Sequence, residues 1–144
     1  MDEPVGTIVV QVARLVRLSF DKRARQIGVT RPQWQVLSVL ARNEGINQGA
    51  LADLLEVEAV TAGRMIDRMQ EAQLVERRPD PADRRAWRLY LTERGAELVD
   101  TLRPLALETY EIALSGIDES ERQQLQALLE KMRANLLRQL SAEA

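Results

Sequence analysis

Across residues 47–91 the spacing of apolar residues changes from helical to strand-like without a linker, and no other feature restricts the fold as strongly. Asn47 is a natural N-cap for a short helix through Ala50, Leu51, Leu54 and Leu55, because its side-chain oxygen can accept from a first-turn amide. After Glu56-Val57-Glu58 a second helix is expected to about Ala72. Its apolar positions Ala62, Met65, Ile66 and Met69 leave Thr61, Arg64 and Arg68 on another face. Two short helices joined by a tight turn form a helix-turn-helix pattern. Leu74-Val75-Glu76-Arg77-Arg78 is strand-like, and Trp87, Leu89 and Leu91 alternate with Arg88 and Tyr90. The turn formers Pro79-Asp80-Pro81-Ala82-Asp83-Arg84-Arg85 lie between the two, which predicts a β-hairpin with a charged tip.

Longer helices flank this unit. Val5, Ile8, Val9, Val12, Leu15, Val16 and Phe20 recur at helical intervals over residues 5–27, and Gly28 ends the run. Thr30 with Gln33 makes a capping box, with Pro32 in the first turn, for a helix carrying Trp34, Val36, Leu37, Val39 and Leu40 to near Gly45. Thr92 caps a fifth helix, expected to break or bend at Pro104. Asp118 with Glu121 opens a last helix, on which Leu125, Leu128, Leu129, Met132, Leu136, Leu137 and Leu140 form one stripe. The fold class is therefore mainly α with a small β-hairpin wing: a winged helix-turn-helix with N- and C-terminal dimerisation helices. About residues 30–92 are expected to form the winged helix-turn-helix module of one domain, 1–144, with residues 1–28 and 93–144 as dimerisation helices. The outer helices cannot all bury their apolar faces on so small a module. A twofold homodimer would bury them and place two recognition helices about one DNA turn apart; bundling within one chain is the alternative.

The chain contains no cysteine and no histidine. Disulfides, thiol redox sensing and Cys/His metal sites are excluded, and the commonest general base is missing. Asp80 and Asp83 could pair as in a hydrolase, but no nucleophile motif or Gly-rich phosphate loop accompanies them. A non-enzyme with no cofactor and no metal is expected. No apolar run nears the ~20 residues of a membrane helix, and Met1-Asp2-Glu3-Pro4 does not open a signal peptide, so a soluble cytoplasmic protein is expected. The net charge of −2 is unevenly spread: residues 1–91 hold 14 basic and 12 acidic side chains (+2), residues 92–144 hold 6 and 10 (−4). Eighteen of the twenty basic residues are Arg, which suits bidentate contacts but also follows from a GC-rich genome.

A helix fits the major groove of double-stranded DNA, where Thr61, Arg64 and Arg68 can read base edges or clamp phosphates. Solvated helix-surface residues are the other reading. Arg84 and Arg85 at a narrow tip can reach a minor groove, whose negative potential attracts guanidinium groups. Asp83 beside them is either the orienter of an Arg through a salt bridge or a simple turn residue. Gln48, opening the first short helix, is grouped with these DNA-facing residues. A second set, Arg14 and Arg17 on the first helix with Trp34 and Ser38 on the second, can hold an anionic aromatic ligand. The guanidiniums would take a carboxylate, the indole would stack and the hydroxyl would hydrogen-bond. Core packing for Trp34 and ion pairs for the arginines compete with that assignment. A winged-helix protein-interaction module without DNA binding is the rival function, separable by salt-dependent retention on duplex DNA.

Leu74-Val75-Glu76-Arg77, Asp80-Pro81-Ala82-Asp83-Arg84-Arg85 and Leu89-Tyr90-Leu91-Thr92-Glu93-Arg94-Gly95 resemble the wing signature of the MarR (multiple antibiotic resistance regulator) family, in its SlyA-like branch. Thr30-x-x-Gln33-Trp34-x-Val36-Leu37 and Val60-Thr61-x-x-x-x-Ile66-Asp67-Arg68 extend the resemblance over almost the whole chain. It implies a homodimeric repressor on a pseudo-palindromic operator, often relieved by small aromatic acids. Residues 58–72 would be the recognition helix, and Arg85 the minor-groove residue, held by Asp83 or its neighbour. Without cysteine the peroxide-sensing branch is excluded. Met69 stands where Leu is usual, and Gln73 where Gly commonly precedes Leu-Val.

Overall fold

The computed structural model describes residues 2–143 as six helices and one two-stranded antiparallel sheet. In chain order these are α1 (Val5–Gln26), α2 (Arg31–Arg42), α3 (Gln48–Leu55), α4 (Ala59–Glu71), β1 (Val75–Pro79), β2 (Trp87–Leu91), α5 (Glu93–Ala113) and α6 (Glu119–Glu143). They divide into two units, residues 2–109 and 110–143.

The boundaries follow local chemistry. Thr30 and Gln33 close the capping box reciprocally: Thr30 Oγ1 accepts from the Gln33 amide, and Gln33 Oε1 from the Thr30 amide. The Asn47 side chain accepts from the Ala50 amide at 2.7 Å. α3 stops where Glu56 turns left-handed at φ 56°. Gly28, at φ 79°, follows α1 in a conformation that favours glycine. Of the break or bend expected near Pro104, the break does not occur: α5 runs through the proline. The proline removes one helical donor, but Pro104 and Asp100 are both exposed, so water can take the freed carbonyl.

In the first unit the core joins Phe20 and Ala24 of α1, Val36, Leu37 and Leu40 of α2, Leu51 of α3, Ile66 and Met69 of α4, Val75, Leu89 and Leu102. β1 and β2 pair in register from Val75↔Leu91 to Pro79↔Trp87. β2 is also bonded on its other side: Gly45 N–H donates to the Leu89 carbonyl, and Leu89 N–H to that of Ile46, both at 2.9 Å. The hairpin is thus anchored to the segment that leads into α3.

The amino-terminal turns of α1 lie outside that core, with Val5, Ile8, Val12 and Leu15 exposed. In the second unit, Asp118 and Glu121 form the expected capping box for α6. No residue of α6 is buried, and Leu125, Leu128, Leu129, Leu136, Leu137 and Leu140 all face out. Among the described residues no helix is long and apolar enough to cross a membrane.

Candidate nucleic-acid interface

α4 buries Ala62, Ile66 and Met69 and turns Thr61, Arg64 and Arg68 outward. Arg64 and Arg68 are four residues apart and Thr61 lies one turn before Arg64, so the three occupy neighbouring positions on the outer surface. Among the described residues neither arginine has an ion pair or side-chain hydrogen bond. Their guanidinium groups remain available to an external anion.

The wing tip organises itself with its own carboxylates. Asp80 accepts from the Ala82 amide at 2.8 Å and from Arg88 Nε at 3.1 Å. The Ala82 amide beside Asp80 does most to lower its pKa; burial opposes the shift, and Arg88 adds to it. Asp83 accepts from the backbone amide of Arg85 at 2.9 Å, and its carbonyl accepts from Ala86 at 3.1 Å. Of the two sequence readings of Asp83, the structure agrees with the turn residue, which acts through main-chain bonds; the ion pair beside the tip is Asp80–Arg88. Arg84 and Arg85 project from this ordered loop, exposed and, among the described residues, without an ion-pair partner. Asp80 and Asp83 are both engaged in folding the turn.

Arg77 joins the two elements, a role sequence reasoning missed. Its Nη1 donates to Asp67 Oδ1 at 2.7 Å and Gln70 Oε1 at 3.0 Å, and its Nη2 to the Gly63 carbonyl at 3.1 Å and Gln48 Oε1 at 3.3 Å. β1 is thereby tied to α4 and to the first turn of α3 by a side chain only 18% exposed. Gln48 is half-buried and bonded to this guanidinium, and a cavity of about 410 Å³ opens between Gln48, Gln70, Arg77 and Trp87. A signal was present in the sequence: Arg77 lies two residues from Val75, on the inward face of its strand, where a charge requires partners.

The second predicted set is only partly assembled. Arg14 and Arg17 are exposed, one turn apart on α1, and unpaired among the described residues. Arg17 precedes Phe20 and Asp21 by one turn, and Trp34 touches both of these residues. The Trp34 ring meets Phe20 edge-on at 4.9 Å, and its Nε1–H donates to Asp21 Oδ1 at 2.7 Å. Asp21 also accepts from Arg31 Nε at 2.6 Å. Burial pushes the Asp21 carboxyl up, but hydrogen bonds from Arg31 and Trp34, with the charges of Arg31 and Arg25, outweigh it and leave the pKa below 3.8. The polar edge of Trp34 therefore serves α1–α2 packing, and Ser38 is half-buried one turn further along α2.

A model described as the MarR family matches residues 27–86 of the chain. The HTH-type transcriptional regulator YybA of Bacillus subtilis (strain 168) is 31% identical over 114 residues, 79% of this chain and 76% of that protein. The structure is similar to that of a MarR transcriptional regulator from Methanosarcina mazei Go1, with a TM-score of 0.83, 31% identity and coverage of 93% and 96% of the two chains. It is also similar to the transcriptional regulator SlyA, with a TM-score of 0.78, 28% identity and coverage of 93% and 94%.

Proposed function

The chain belongs to the MarR family of transcriptional regulators, and from that premise we propose that it acts as a cytoplasmic homodimeric repressor on a pseudo-palindromic operator in double-stranded DNA, released by a small anionic aromatic ligand. In this reading α4 enters the major groove, where Arg64 takes a guanine edge while Arg68 and Thr61 hold the backbone or a neighbouring base. Arg84 and Arg85 follow the minor groove. Residues 30–92 form the reading module, and residues 1–28 and 93–144 supply the dimer helices.

The carrying observation is that Arg64, Arg68, Arg84 and Arg85 stand exposed on two elements held in register by Arg77, and among the described residues no ion pair neutralises them. A twofold partner is supported by the apolar faces of α1 and α6, which leave leucines and valines exposed. For the effector, Arg14 and Arg17 are free to take a carboxylate. Trp34 can offer it only ring surface, since its N–H is held by Asp21. Such a ligand weakens DNA binding only by the difference in its affinity for the two dimer shapes.

The test is duplex binding as a function of salt. Retention should fall steeply with salt. Arg64→Ala should cost about 1–3 kcal/mol and relax base preference, while Arg85→Ala should weaken binding with selectivity tracking groove width. Unchanged affinity in both variants would refute the proposal. Salicylate at millimolar concentration should release wild type from DNA more readily than Arg17→Ala; equal release would remove the effector assignment.

A further inference from the structure

The outer surface of α4 carries one large exposed apolar side chain that neither the fold nor the arginine readout uses. Val60, in the first turn, is 66% exposed. Single exposed apolar residues are ordinary on protein surfaces, so exposure alone assigns nothing. Position does. Val60 precedes Arg64 by four residues and so shares its face, directly opposite the buried side of Ala62, Ile66 and Met69. Thr61 and Arg68 flank this face on one side, and Asp67, held by Arg77, flanks it on the other. A β-branched residue is also a weak choice for a solvated helix surface, where straight-chain residues fit better. The first turn of α4 carries no acidic side chain, although its N-cap, Glu58, is an exposed carboxylate.

We infer that Val60 is a specificity-determining residue that packs on the C5-methyl of a thymine, next to the base read by Arg64. The inference rests on the DNA-binding reading above. The thymine methyl is the only apolar group that base edges offer in the major groove, and the N-terminal residues of a recognition helix are the ones that reach base edges. Four residues of helix rise about 6 Å, against roughly 3.4 Å per base pair. The thymine therefore lies one to two base pairs from the guanine contacted by Arg64. Thr61, which is also exposed, can serve the same step but does not share the centre of the face.

The experiment uses the intact chain and a duplex that the protein itself selects from a random-sequence pool. Each thymine in a half-site is then replaced by deoxyuridine, which removes the methyl and nothing else. One position should lose about fourfold in affinity, as expected for one buried methyl, and the loss should disappear in Val60→Ala. Val60→Thr, which keeps one methyl, should fall between. Because Val60 is exposed, both variants fold; thermal melting checks this. Uniform tolerance of deoxyuridine overturns the inference, as does an unchanged deoxyuridine penalty in Val60→Ala, or a selected sequence with no thymine in this step. If selection enriches no duplex at all, the DNA-binding reading itself has failed, and the two failures are distinguished.

Discussion

Arg77 is the point at which the interface is most exposed to a single change. Its side chain is 18% exposed and donates to Asp67, Gln70, Gly63 and Gln48, thereby holding β1 against α4 and α3. The Asp67 carboxylate is 61% exposed, so that ion pair contributes at most about 1 kcal/mol. The bonds to the Gly63 carbonyl and the two glutamines each contribute about 0.5–1.5 kcal/mol net, and water can replace some of them in a variant. Arg77→Ala should therefore cost about 2–3 kcal/mol in urea denaturation at fixed protein concentration. The effect on DNA should be larger than this loss suggests. The wing can then tilt away from α4, and Arg84 and Arg85 no longer share one geometry with Arg64. A tenfold or greater weakening is expected under conditions where the variant is still fully folded. Arg77→Lys keeps the charge but not the planar fork that reaches several acceptors at once, so it should recover only part of either loss. If Arg77→Lys matches wild type in both stability and affinity, the cross-brace argument is wrong, because charge alone would then suffice.

Gly95→Ala should be severely destabilising, by more than 3 kcal/mol, since an added Cβ would stand 2.1 Å from the Leu74 carbonyl oxygen; a melting temperature within a few degrees of wild type would contradict that close approach. Asp21→Asn should cost about 1–3 kcal/mol at neutral pH, because Asp21 is buried while its partner Arg31 is partly exposed. The folded carboxyl titrates below its ordinary 3.8, so the stability it contributes is present above that pH and lost as pH falls below it. The wild-type advantage over Asn should shrink on acidification below about pH 4, and a constant difference down to pH 2 would contradict the assignment. Replacing Leu129 and Leu136 by Asp should abolish the proposed dimer in sedimentation without unfolding α6, since both side chains are exposed in the single chain; a dimer that persists would place the interface elsewhere.

Much of this architecture was legible because its signals are local. The caps at Thr30, Asn47 and Asp118 act over three residues, and the period-two alternation around Leu89 needs only its own strand, so composition and spacing reveal them. The wing motif likewise carried Gly95 with it, although the reason, a backbone carbonyl from the segment before β1 lying against α5, is a contact no spacing shows. What the tertiary structure decided are the polar partnerships between distant residues. Arg77 meets Gln48 across 29 positions, and Trp34 meets Asp21 across 13, which commits the indole N–H, though not the ring face, to helix packing. Gln73 departs from the family glycine and nevertheless adopts φ 62°, its carbonyl accepting from Thr92 Oγ1 at 2.6 Å. Periodicity assigns a residue to a face and a cap to an end. A charge or N–H buried on that face must then take whichever partner the packing brings within hydrogen-bond reach, and that choice belongs to the folded chain alone.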